Sequence, residues 1–243
     1  VIANNVLAHV ADLNGTAAGI AELLADDGLA AIEFPYVGDM IEALEFDTIY
    51  HEHLCYFSLH AVSAVFARHG LIVTDVLRHP IHGGSLRIYL EREGRPVTDA
   101  VRRLLDEEAG RGMGAARFYE DFAARVTALR SDLVDELRKR KAAGQRLAAY
   151  GASAKGSTLM NAFGLGAEFF DFVADRSTVK QGRYTPGNHL PIVPPSALLE
   201  KRPDAVLLLT WNFADEIVRQ QAEYARRGGR FITPLPLPKV LPV

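Results

Sequence analysis

The sequence predicts an α/β protein with two mostly parallel sheets separated by a charged helical stretch. Three observations carry that prediction. Short apolar runs alternate with helix-period stretches over residues 1–96, and do so again over 145–243. Residues 98–141 are instead rich in Arg, Glu, Asp and Ala, with Phe118, Phe122, Val126, Leu129, Leu133 and Leu137 at helical spacing. A glycine-bearing loop, from Gly151 to Gly156, follows a predicted strand and opens a predicted helix.

The elements follow in order. Residues 1–10 read as a strand end running into a loop. Asn14 is the expected N-cap of a helix with the stripe Ile20, Leu23 and Leu24, ended by Gly28. Residues 29–34 read as a buried strand, and a loop is expected from Pro35 through His53. Ser58 caps a helix carrying Val62, Val65 and Phe66 that stops at Gly70. Residues 71–76 and 85–90 have no helix between them, which predicts a hairpin antiparallel to the rest of a mostly parallel sheet. Gly110, Gly112 and Gly114 split the charged stretch into two helices, expected as an amphipathic connector over 97–144. Strands at 147–150, 170–173, 205–209 and 231–233 then alternate with helices. Ser196 caps a short helix, and a longer one runs over 213–227 before Gly228-Gly229. Such alternation implies a parallel sheet of Rossmann type.

Composition narrows the function. The chain is 49% hydrophobic and 23% charged, which excludes a disordered or collagen-like protein. Its 27 basic and 30 acidic residues give a formal net charge of −3, so nucleic acid is not an expected partner. Cys55 is the single cysteine, which forbids an internal disulfide and points to a reducing, cytoplasmic compartment. No apolar run approaches the roughly 20 residues that cross a bilayer, so no membrane role is expected. No basic segment precedes an apolar one at the N-terminus. The chain opens at Val1 in an apolar run, as a sequence does that begins inside a domain. Charge balance and apolar helices suit a monomer.

Two constellations carry chemistry. Tyr50-His51-Glu52-His53, with Cys55 and Tyr56 behind, places a base beside an acid and a phenol. A carboxylate can orient an imidazole and stabilise its charged form, so this is a candidate general base. In an extended segment His51 and His53 share one face and Glu52 takes the other. His51, His53 and Cys55 are also ligand types, but the spacing of zinc hydrolases is absent and no metal is expected. A hydrogen-bonded loop is the plain structural alternative. In the second constellation, Gly151, Ser153 and Lys155 sit where backbone N–H groups and a helix dipole favour an anion. The order of Lys155 and Gly156 excludes a Walker A loop, and Ser153 breaks the dinucleotide fingerprint. Asp175 ends the next strand, near where a ribose-binding acid sits. A tight turn needed only for packing is the alternative here. Asn4-Asn5 and His9 close the first strand, Trp211 is placed to stack on a base or to pack, and His82-Gly83-Gly84-Ser85 reads as the hairpin turn.

Together these segments resemble a known family. The series Ala3-Asn4-Asn5-Val6-Leu7-Ala8-His9-Val10, Phe46-Asp47-Thr48-Ile49-Tyr50-His51-Glu52-His53-Leu54, His82-Gly83-Gly84-Ser85-Leu86-Arg87 and Tyr150-Gly151-Ala152-Ser153-Ala154-Lys155-Gly156 is similar to that of the nucleotide-sugar C-methyltransferases, over nearly the whole chain. These S-adenosylmethionine enzymes build branched deoxysugars for antibiotics. Members have an N-terminal zinc module, a class I methyltransferase domain and a Rossmann-like C-terminal domain. The resemblance therefore implies the second half of a class I methyltransferase-type sheet over 1–96, a helical connector over 97–144, and a Rossmann-like domain over 145–243. It implies a fragment without the methyl donor's glycine loop, so the S-adenosylmethionine site is incomplete, and zinc belongs only to an upstream module.

The implied substrate is a dTDP-linked 4-keto-deoxysugar. His53 would take the proton beside the ketone, with Glu52 and Tyr50 orienting the base or stabilising the enolate. His9 and Asn5 would line the cavity. Gly151, Ser153 and Lys155 would hold the pyrophosphate, with Asp175 and Trp211 as further substrate contacts. Two other readings stand beside this one: a non-catalytic nucleotide-sugar-binding fragment, and an NAD-dependent oxidoreductase using the Gly151 loop and Asp175.

Overall fold

A computed structural model describes residues 1–92, 94 and 96–242. The chain divides into two compact α/β units, residues 1–43 with 51–123 and residues 44–50 with 124–243. The first unit opens with β1 (Ile2–Asn4), a 3-10 turn at Leu7–His9, α1 (Leu13–Leu23) and β2 (Ala30–Pro35). It continues with α2 (Val37–Glu42), α3 (Leu59–Ala67), β3 (Leu71–His79) and β4 (Ser85–Arg92). Among the described residues these strands form one sheet in the order β1-β2-β4-β3.

Only β4 reverses direction, and it lies between β2 and β3, antiparallel to both. The expectation that both last strands oppose the rest is corrected in this respect. Leu86, Ile88 and Leu90 are each fully buried, and a strand that apolar is better paired on both edges than on one. The consequence is positional. Ser85 lies opposite Pro35 at the end of β2 and His79 at the end of β3. The turn at 80–84 therefore emerges at the sheet's carboxyl edge, where β1 and β2 also end.

Local differences from the expected elements have local causes. Asp12, not Asn14, caps α1, its Oδ1 accepting from Gly15 N at 2.8 Å. The expected loop over 35–53 contains α2, because Val37, Met40 and Ile41 recur at helical spacing and are buried. It also contains a 3-10 turn at Phe46–Thr48. Ser58 caps α3 as its sequence predicts, accepting from Ala61 N at 3.0 Å. A second acceptor was not anticipated: buried Glu108 takes Leu59 N at 2.6 Å and His60 N at 2.8 Å.

The charged stretch forms α4 (Asp99–Gly110) and α5 (Arg117–Ala142). Val101 and Leu104 join the first core, around Ile32, Phe34 and Phe66. The first unit ends at residue 123, so the later turns of α5, with buried Leu129, Leu133 and Leu137, belong to the second.

The second unit continues with β5 (Leu147–Tyr150), α6 (Ala154–Phe163), β6 (Phe170–Ala174), β7 (Ile192–Val193) and α7 (Ala197–Lys201). Then come β8 (Ala205–Leu208), α8 (Ala214–Gln220), α9 (Ala222–Arg226), β9 (Arg230–Thr233) and β10 (Lys239–Val240). The order is β10-β9-β8-β5-β6-β7, parallel except for β10. The two-residue strands β7 and β10 carry too little pattern to be read from sequence. Ser196 makes no side-chain cap to α7, and the helix expected over 213–227 breaks at Gln221 into α8 and α9. Chain order reverses between β5 and β8, and it is outside the carboxyl ends of such a pair that open parallel sheets take ligands.

Candidate active site

In the first unit the site residues collect where β1 and β2 end. Asn5 turns the chain out of β1 with φ +54°, its N–H bonded to Glu33 O at 2.8 Å. The 3-10 turn that follows holds the segment carrying His53. Ala8 O accepts from Leu54 N at 2.8 Å and from Cys55 N at 3.3 Å. His9 Nδ1 lies 2.8 Å from Glu52 O. A carbonyl can only accept, so Nδ1 carries the proton, and Nε2 of the neutral ring is left as an acceptor. The His9 and His53 rings are 4.8 Å apart, tilted by 55°. Tyr56 meets His53 edge-on at 6.2 Å, and its hydroxyl donates to His53 O at 3.4 Å.

Glu52 is placed differently from the sequence expectation. Residues 51–52 form a turn, not an extended strand. The Glu52 carboxylate is exposed and lies 3.9 Å from His51 Nε2, so it accompanies His51 there. Its backbone carbonyl, bonded to His9, is the part that organises the pair. Tyr50 is the last residue of the 44–50 segment, in the second unit. Among the described residues no three His, Cys, Asp or Glu side chains are grouped to hold a metal ion.

His82, expected only as a hairpin turn, has φ +58°, and Asn5 Nδ2 reaches its Nε2 at 3.5 Å. Two non-glycine residues with positive φ thus face each other across the sheet's carboxyl edge, and such strain concentrates at functional sites. Gly84 holds the turn close at φ +138°, where a Cβ would run into Asp39. Beneath the site, Arg87 Nη2 and Nε bond buried Glu33 Oε2 at 2.7 and 3.0 Å.

In the second unit a cleft of about 270 Å³ opens at the β5/β8 reversal. Gly151, Asp175, Arg176, Thr210 and Phe213 line it. Gly151 has φ +95°, and any Cβ there would meet the Thr210 side chain, so this close approach of the two strand ends requires glycine. Ser153 caps α6, accepting from Gly156 N at 3.0 Å. Asp175 commits both oxygens to backbone: Oδ2 accepts from Ala152 N at 2.6 Å and Oδ1 from Ser177 N at 2.7 Å. It is thus first of all a brace for the glycine loop. Lys180 Nζ donates to Ala152 O at 2.7 Å, which brings a second cation to the loop that sequence reading passed over.

Lys155 and Trp211 meet at a third residue to which sequence reasoning gave no role. Trp211 Nε1–H donates to Asp47 Oδ2 at 2.8 Å, and Lys155 Nζ stands 5.1 Å from the indole centroid. Asp47 is fully buried, and burial pushes its carboxyl up to about 6, opposed by Lys155 and the indole N–H. Its Oδ1 is enclosed with no side-chain partner, and the backbone N–H groups of Asp47 and Thr48 are the donors nearest the carboxylate. The available signal was an acid set between Phe46 and Ile49.

Comparison with known proteins assigns the chain in two steps. Residues 1–76 match the family model of a methyltransferase domain. Residues 80–236 match the C-methyltransferase C-terminal domain, and the chain belongs to the C-methyltransferase family. It is 39% identical over 239 residues to C-methyltransferase NovU of Streptomyces niveus, an alignment taking in 96% of this chain and 56% of that protein. The chain thus spans a little over half the length of that relative.

Proposed function

We propose that this chain serves the S-adenosylmethionine-dependent C-methylation of a dTDP-linked 4-keto-deoxysugar, with His53 as general base. The observation that carries the reading is the histidine pair: in a C-methyltransferase chain, His9 is fixed through Nδ1 beside His53 at a sheet's carboxyl edge. Carbon methylation requires a base, because the attacking carbon must first lose its proton. His53 takes the proton next to the ketone, and the C–H electrons pass to the ketone oxygen as an enolate. Glu52 orders the histidine pair through its backbone carbonyl, which holds His9, and Asn5 and His9 position the sugar.

Charge distribution supports the same reading. Residues 1–67 contain no Lys or Arg, and the guanidinium beneath Asn4 and Asn5, that of Arg87, is bonded to the Glu33 carboxylate. S-adenosylmethionine, when bound, supplies the methyl group as an electrophile. The diphosphate needs cations, and the Gly151 loop has them in Lys155, Arg176 and Lys180, with Ser153 and the α6 N-terminus beside them.

The base is tested by proton exchange. A dTDP-4-ketosugar in deuterated water exchanges the hydrogen beside its ketone with the wild-type chain and does not with His53→Asn, while calorimetry finds dTDP binding unchanged. Full exchange in the variant removes His53 from the role. Absence of dTDP binding by the wild-type chain removes the nucleotide-sugar reading.

A further inference from the structure

We propose that Asp47 is a positioning residue for the nucleotide phosphates: its buried carboxylate sets the Trp211 indole and the Lys155 ammonium at the Gly151 loop, and an arriving phosphate takes that ammonium over. This rests on the nucleotide-sugar reading above.

The three side chains come from three places in the second unit: the 44–50 segment, the first turn of α6 and the turn after β8. Phe46 stacks on Phe163 of α6 with ring centroids 4.5 Å apart and planes within 19°, so Asp47 is seated by its neighbour in the chain. The carboxylate accepts the indole N–H through one oxygen, and the other is buried with no side-chain partner, near the N–H groups of Asp47 and Thr48. A group that served only to hold Trp211 would need one acceptor and no charge. The second oxygen and the charge are a cost unless they act on something, because buried polar atoms are otherwise paired. What they act on is Lys155, the cation whose field reaches Asp47. The indole face, 5.1 Å from the ammonium, adds a weak attraction that keeps it near the loop.

A phosphate bonded to Lys155 brings negative charge toward Asp47 and draws the ammonium's field away. Both effects favour a proton on the carboxyl, so binding takes up protons in the range just above the Asp47 titration. The facing groups limit the alternatives. Lys155 is the charged group from α6, the turn after β8 presents the indole N–H, and Asp47's own segment adds the N–H groups of Asp47 and Thr48.

Trp211 is the single tryptophan, so its emission reports this cluster alone. We would titrate the chain with dTDP near pH 6 in two buffers of different ionisation enthalpy, following heat and Trp211 emission. Wild type binds with proton uptake and an emission change. Asp47→Asn, its fold verified by circular dichroism, binds about tenfold more weakly and takes up no proton. Asp47→Glu recovers part of the uptake. Lys155→Met buries nothing new and serves as the second variant; it loses the uptake with the affinity. Asp47→Asn binding dTDP with wild-type affinity and wild-type proton uptake overturns the assignment while leaving the nucleotide site intact. Wild type failing to bind dTDP overturns the nucleotide reading and this assignment together.

Discussion

Replacing Asp47 by Asn makes the protein more stable at neutral pH, and the gain grows with pH in a defined window. The carboxyl moves from an ordinary value of 3.8 to about 6 in the folded chain. The folded state therefore holds this proton more tightly than the unfolded chain does. Between those two values the unfolded state is the more ionised, so wild-type stability falls as pH rises through them. Above the window the loss is complete and amounts to about 3 kcal/mol at 1.36 kcal/mol for each pH unit of displacement. Asn carries no such proton, and its amide oxygen keeps the 2.8 Å bond from Trp211 Nε1. Urea unfolding of both proteins from acid to pH 8, followed by Trp211 emission and far-ultraviolet dichroism, measures the difference directly. The curves coincide below the window and separate by about 2–3 kcal/mol at pH 7, with Asn the more stable. Parallel curves, or a wild type more stable at pH 7, would refute the burial argument.

Three other perturbations have definite outcomes. Gly151→Ala places a side chain at φ +95° against Thr210, costs about 1–3 kcal/mol in thermal unfolding and abolishes dTDP binding in the β5/β8 cleft; unchanged binding would put the nucleotide elsewhere. Glu108→Ala strips two charge-assisted bonds from the start of α3 and lowers stability by about 3 kcal/mol in guanidinium unfolding; a loss below about 1 kcal/mol would reduce Glu108 to a bystander. Lys180→Met weakens dTDP binding about fivefold at low salt, and the gap closes as salt screens the exposed charge; a gap constant with salt would rule out a phosphate contact.

Much of this was legible from the chain because local pattern and tertiary environment agree. The run Leu147-Ala148-Ala149-Tyr150 reads as a strand and is one, buried at every position. Ser58 reads as a cap and is one, since it fixes a single turn. Legibility ended where a decision depended on distant partners. The 3-10 turn at Phe46–Thr48 depends on Phe163, far along the sequence, and nothing local announces it. The position of β4 between β2 and β3 is a pairing choice that alternation does not encode. The site behaved the same way. Residue types at the motifs were readable, but the hydrogen bond of Glu52 uses its carbonyl, which every residue possesses, so sequence directed attention to its carboxylate instead.

Two buried acids make the sharpest contrast. Glu108 spends both oxygens on the N–H groups that open α3, and its burial is explained by what it bonds. Asp47 is as deeply buried, bonds the indole with one oxygen and leaves the other with no side-chain partner. A helix cap can be rebuilt from many residue types at modest cost, whereas an under-bonded buried carboxylate persists only where its charge has an object. Here that object is Lys155, in the first turn of the helix behind the Gly151 loop. The stability that Asn is expected to restore at this position, about 3 kcal/mol, is then the measure of what the folded chain gives up to keep that lysine poised.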